Sequence, residues 1–213
     1  TAKGLKGGHS GVDIALGRAN ANKIIFRFLM QAESDFGIRL AEVSGGNLRN
    51  AIPRESYAVI LLPSSKTASF EKFVKSYEKM YRAEFAETEP DLSFSGKKTE
   101  KPLSVMNKED QFAIIRAVFA CPNGVQRMSQ AMKGLVETSN NLAIVKCSKG
   151  KFEAHNLCRS SVDSSKEATA WRIAGVFQLI DAKVTISGGY PGCKPNMASP
   201  ILKTATEVSF LYT

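Results

Sequence analysis

The sequence predicts an α+β fold, an antiparallel sheet with helices packed on one face. Three observations carry this. Apolar residues recur at helical spacing in four stretches. Short runs rich in β-branched and aromatic residues lie between them. These runs come in hairpin-like pairs, whereas a parallel doubly wound sheet needs single strands alternating with helices.

The elements follow in order. After an N-terminal strand, residues 11–30 read as a helix, with Ile14, Ala21, Ile25 and Phe28 on one stripe and Arg18 and Lys23 pointing elsewhere. Residues 38–43 alternate apolar and polar, as a half-buried strand does, and 57–62 form a β-rich run ended by Pro63-Ser64-Ser65. A second helix covers 68–85. Its stripe is Phe70, Phe73, Val74, Tyr77, Met80 and Tyr81, and Glu and Lys fill the other face. Leu92 and Phe94 mark a short strand. A polar break over 95–102 follows, and it is the best internal boundary.

Beyond the break, a third helix is predicted over 108–119. Facing strands are predicted at 140–147 and 151–159, joined by Ser148-Lys149-Gly150. A fourth helix opens at Ser164-Ser165-Lys166-Glu167, read as a capping box, and carries Ala170, Ile173, Phe177 and Ile180 inward. Residues 183–186 read as a closing strand. The order of elements suggests two pseudo-repeated, ferredoxin-like halves, 1–98 and 103–188, within one domain of residues 1–188.

Composition narrows the class. The chain has 213 residues, 43% hydrophobic and 23% charged, as an ordinary globular protein does. No apolar run approaches the roughly 20 residues of a membrane span, and no apolar segment follows the first lysines as in a signal peptide. The formal net charge is +9. The basic residues are spread along the chain without interleaved aromatics, so a solvated basic surface is expected, with no nucleic-acid or membrane partner. Cys121, Cys147, Cys158 and Cys193 match neither a zinc spacing nor a compact disulfide framework. Cys147 and Cys158 fall in apolar or alternating stretches and are expected to be buried free thiols, in a reducing, cytoplasmic setting.

Chemistry-bearing residues are sparse. The only histidines are His9 and His155, and there is no HExxH, nucleophile elbow, P-loop or GxGxxG opening a helix. By residues alone, the chain is a binding module or part of something larger, with no metal site and no cofactor of its own. Two clusters stand out. Gly7-Gly8-His9-Ser10-Gly11 could present a ring N–H beside a helix N-terminus, or be a plain strand-to-helix turn. Gly45-Gly46-Asn47-Leu48-Arg49-Asn50 could place the Asn50 amide near an oxyanion, or be a plain hairpin loop.

The stretches holding those clusters, Gly4 through Gly11 and Gly45 through Glu55, resemble the lid of the aminoacyl-histidine dipeptidases, the Xaa-His or peptidase D type of di-zinc metallopeptidase. Further resemblances follow in the same order: Pro122-Asn123-Gly124-Val125 with Met128-Ser129, Glu137-Thr138-Ser139, Arg159-Ser160-Ser161 with Asp163-Ser164, and Tyr190-Pro191-Gly192 with Lys194-Pro195-Asn196. The resemblance implies a lid belonging to a longer enzyme that holds two zinc ions, with the metal ligands and the general-base Glu outside this chain. This chain alone would then be inactive.

The resemblance also implies roles for three residues. His9 would stabilise the carbonyl oxyanion, reaching across from the partner subunit in dimeric relatives. Asn50 would help hold the substrate, and Arg159 would pair with the substrate's C-terminal carboxylate. The implied partners are a dipeptide, the catalytic domain and a second copy in a homodimer. Residues 189–213 would be the return segment toward the catalytic domain. Cys193 departs from the family's usual Trp, and His155 matches no functional position. A rival reading from another class is a non-catalytic α+β dimerisation or interaction module.

Overall fold

The computed structural model describes residues 1–192, 196, 199–201 and 204–205. The chain opens with β1 (Ala2–Lys3) and β2 (Gly8–His9), then α1 (Ala21–Phe36), β3 (Arg39–Gly45), β4 (Ala51–Ile52), β5 (Ser56–Leu61), α2 (Thr67–Glu84) and β6 (Ser93–Phe94). The strands β6-β1-β5-β3 lie side by side in that order, antiparallel throughout. With α1 and α2 as crossovers, this is the ferredoxin-like βαββαβ arrangement. The short β2 and β4 stand apart as a two-stranded ribbon.

The second half adds α3 (Lys108–Ala120), β7 (Gly124–Met128), β8 (Val136–Ser148), β9 (Lys151–Ser160) and α4 (Asp163–Gln178). One end of β8 pairs with β3, through Val43↔Cys147 and Gly45↔Val145. Its other end pairs with β7, and β9 runs along its opposite edge. The result is one seven-stranded antiparallel sheet. The β8–β9 turn has Lys149 at φ 50° and Gly150 at φ 73°, the two left-handed residues of a tight primed hairpin.

The core lies between the sheet and the helices. Ile24, Ile25, Phe28 and Leu29 of α1 meet Leu40 and Val43 of β3, Val145 of β8 and Val118 of α3, all buried. The α2 stripe read from sequence docks on α1 through rings. The Phe28 ring centroid is 5.7 Å from Phe70, 5.2 Å from Phe73, 5.2 Å from Tyr77 and 4.9 Å from Phe94. Tyr81 is fully buried and donates its hydroxyl to the Ile24 carbonyl at 2.9 Å. Lys23 leaves α1 to donate to the carbonyls of Val118, Phe119 and Cys121, so it caps the C-terminus of α3. No helix among the described residues is long and apolar enough to cross a membrane.

Four local expectations need correction. The first helix begins at Ala21, not near residue 11. The Asn20 side chain accepts the Asn22 and Lys23 N–H groups and so fixes the start, and Gly37 at φ 65° closes the end. The periodic residue Ile14 is buried from a loop instead. No capping box opens the fourth helix. Val162 is its N-cap, without a side-chain bond, and Ser165 turns its hydroxyl to Glu137. Residues 183–186 form no strand, because the β9 side of the sheet is followed by α4 and then by irregular chain. Gly45 and Gly46 do not simply turn a hairpin. Gly46 sits at φ 73° where a Cβ would overlap the Ala143 carbonyl, so glycine there permits close passage over β8. Cys193 and most of 193–213 lie outside the described residues.

Phe28 sits at the centre of the ring cluster and is 6% exposed. Truncation to Ala is expected to cost about 3–5 kcal/mol in a urea unfolding titration. Phe28→Leu, which leaves a smaller void, should cost clearly less.

Candidate functional site

Residues 6–19 form a compact loop carrying His9. The two ends meet at one side chain: Glu89, 1% exposed, accepts the Lys6 N–H at 2.7 Å and the Ala19 N–H at 2.9 Å. Inside the loop, Asp13 accepts the His9 N–H at 2.8 Å, and Arg18 donates to the Gly7 carbonyl at 2.6 Å while pairing with Asp13 at 3.5 Å. Gly8, at φ 132°, leaves no room for a Cβ, which would overlap both Arg18 and Asp13.

The His9 ring is exposed and its proton is placed by the backbone. The N–H groups of Gly11 and Val12 both point at Nδ1, each at 3.2 Å. Nδ1 therefore accepts, and in the neutral ring the hydrogen sits on Nε2. Among the described residues that N–H has no partner.

The ribbon brings Asn50 beside it. His9 pairs with Ala51, and the Ser10 N–H donates to the Asn50 carbonyl at 2.8 Å. Asn50 is exposed. The ribbon is held to the main sheet by Asn141 of β8, fully buried, whose Nδ2 donates to the Ala51 carbonyl at 2.8 Å and the Arg49 carbonyl at 3.3 Å.

Arg159 of β9 completes the cluster. Its Nε donates to Oγ of the buried Ser10 at 3.4 Å, and Nη1 to the Tyr190 hydroxyl at 3.4 Å. A Cβ on Gly11 would lie 3.1 Å from His9 Cε1 and 3.3 Å from Arg159 Nε, so imidazole and guanidinium flank the same small space. The structure thus gathers all three residues singled out in the sequence. His155 stands apart, exposed on β9 and 3.7 Å from Glu153.

Comparison with known proteins now decides the class. Residues 1–89 match the family described as a peptidase dimerisation domain. The chain is 38% identical over 209 residues to the cytosol non-specific dipeptidase of Escherichia coli (strain K12), which covers 97% of this chain and 43% of that protein. The crystal structure of an aminoacylhistidine dipeptidase from Vibrio alginolyticus superposes with a TM-score of 0.92 at 39% identity, covering 95% of this chain and 41% of that one. Nearly the whole chain is thus similar to one part of two dipeptidases, and residues 1–89 to a peptidase dimerisation domain. It spans less than half the length of either relative.

Several supports of the candidate site are not legible in sequence. Ser10 and Gly11 stand out in the sequence only as neighbours of His9. Asp13 and Arg18 could have been found as a charge pair spanning a glycine-rich turn. Asn141 and Glu89 give no local signal, since each meets its backbone partners from 70 or more residues away.

Other polar features lie outside this cluster. A groove of about 320 Å³ is lined by Gln126, Arg127, Thr138, Ser165, Thr169 and Arg172. Arg172 already bonds Gln126, and Arg127 and Ser165 bond Glu137. Cys121, Cys147 and Cys158 are free thiols. Cys121 donates to Asn156 Oδ1 and Cys158 to Asn140 Oδ1, each at 3.4 Å, while Asn140 Nδ2 bonds Asn156 Oδ1 at 2.8 Å.

Burial pushes the Cys121 thiol up to about 12 against the opposing pull of Lys23, and the Cys158 thiol up to about 11. Both values lie above the ordinary thiol value near 9. Between pH 9 and 11 the unfolded chain gives up these protons while the folded chain keeps them. Their contribution to stability is therefore complete below about pH 9 and is lost as pH rises toward 11–12. Replacing Cys158 by Ala should flatten the fall in unfolding midpoint over that window. Thiol labelling of the folded domain at pH 8 should be slow.

Proposed function

We propose that this domain is the substrate-covering lid of a cytosolic dipeptidase that cleaves Xaa-His-type dipeptides, and that the protein works as a homodimer. One observation carries the reading: the backbone fixes the His9 ring so that Nε2–H points out beside Asn50 and Arg159. Such a set answers three needs of peptide hydrolysis. An imidazole N–H, already oriented, donates to the oxygen on which charge develops. An exposed carboxamide holds the peptide. A guanidinium pairs with the terminal carboxylate as a planar fork. Arg159 meets Ser10 through Nε and the exposed Tyr190 hydroxyl through Nη1, each at 3.4 Å, and a substrate carboxylate would take over the Tyr190 contact.

The described residues contain no group of three or more His, Cys, Asp or Glu side chains that could hold a metal. The zinc ions implied by the resemblance do not fit here, and no step is assigned to them. We place them in the remainder of the longer protein. The E. coli relative's name supports the cytosolic setting. The matched family's description supports the dimer.

Arg159 tests the reading in the full-length protein. Removing a guanidinium that meets a carboxylate in a closed cleft costs on the order of 2–5 kcal/mol, a loss of about thirty-fold or more in kcat/KM. Arg159→Ala should show that loss on a dipeptide and a much smaller one on the dipeptide amide, which has no carboxylate. The part common to both substrates should be reproduced by Ser10→Ala, which removes only the support of the loop. Equal losses on acid and amide would mean that Arg159 holds the loop and does not read the substrate.

A further inference from the structure

We propose that Glu89 is a positioning residue for His9, a buried carboxylate that closes the loop carrying the ring. The inference deepens the lid reading and rests on His9 facing substrate.

A carboxylate at 1% exposure is costly unless both oxygens are engaged. Here each oxygen takes one end of the loop, Oε2 the Lys6 N–H and Oε1 the Ala19 N–H. Charge-assisted bonds of this kind are short and strong. Only a carboxylate serves both ends. A carboxamide has one oxygen, and its NH2 would face the second N–H, donor against donor.

The neck is held from outside the loop. The Glu89 N–H donates to the Phe85 carbonyl at 2.8 Å and its carbonyl accepts from Leu92 at 3.1 Å, so the turn after α2 fixes the side chain. The loop is then a closed Ω-loop whose own contacts, Asp13 to the His9 N–H and Arg18 to Gly7, run from the neck to the ring. Opening either end frees the backbone that presents the Gly11 and Val12 N–H groups to Nδ1. The ring then loses its single tautomer. Glu89 is buried behind the loop and reaches no substrate, so its action is through His9.

The domain contains two histidines, which makes the test direct. At about pH 8, above the ordinary imidazole value, nitrogen-15 NMR of the wild type should show His9 with a bare Nδ1 and a protonated Nε2. In Glu89→Gln, His9 should become a mixture of tautomers, and amides 9–12 should exchange about tenfold faster or more. The signals of His155 should stay put. Glu89→Asp, one methylene shorter, should reach only one end and fall between the two.

In the full-length protein, Glu89→Gln should lower kcat about tenfold or more with little change in KM, as expected for a loss confined to the transition state. Should the Gln variant fail to fold, the wild type still decides. The Lys6 and Ala19 amides must be protected and exchange as one unit, and independent exchange overturns the proposal. An unchanged His9 tautomer and unchanged loop exchange in a folded Glu89 variant also overturn it. A scrambled tautomer with undiminished turnover would instead remove His9 from the reaction and leave the staple standing.

Discussion

Strand β8 lies between β3 and β9, and two buried asparagines at its middle, Asn140 and Asn141, tie the rest of the molecule to it. Alternate residues of a strand point to opposite faces. Asn140 therefore reaches Asn156 of β9 and the Pro122 carbonyl after α3, while Asn141 reaches the backbone of the ribbon that carries Asn50. The same strand continues the ferredoxin-like unit by pairing with its outer strand β3. The amide donors of both side chains are bonded and so fix position, while the buried Asn141 oxygen finds no partner among the described residues.

The two sides of the molecule have different jobs. The α1–α2 side is packed by rings around Phe28 and gives a rigid body with little polar content. The ribbon side is a set of loops held by polar contacts from distant elements: Glu89 from the end of α2, Asn141 from β8 and Arg159 from β9. A site on loops gains its precision from such supports, because loops have no ladder of their own. His9 illustrates the point. Its exposed ring touches solvent, yet its proton is set by two backbone N–H groups of its own loop.

The edge strand β9 carries both a charged edge and one member of the candidate site. Lys151, Glu153 and His155 are its exposed residues near the turn, a charged edge that discourages unplanned pairing. Toward its other end, Arg159 and the neighbouring Ser160 face opposite sides. Ser160 shares a hydrogen bond with Thr138, and Arg159 joins the His9 cluster.

The sequence by itself determined the α+β class, the helices α2, α3 and α4 to within a residue or two, and the β8–β9 hairpin. In each of these, periodicity and turn residues act within a few positions of one another. It also pointed to His9, Asn50 and Arg159, through glycine-rich turns and family motifs. Only the tertiary structure decided where α1 begins, because Ile14 keeps the helical period while Asn20 and the Glu89-pinned loop impose the cap. The same holds for the pairing of β2 with β4 and for the missing strand at 183–186. It also decided that the three candidate residues gather around Ser10, His9 and Arg159 flanking Gly11 and Asn50 bonding the Ser10 N–H through its backbone. Those outcomes depend on contacts such as Ala19 to Glu89 and Asn141 to Ala51, between residues 70 and 90 positions apart, and such contacts leave no periodic trace in the chain.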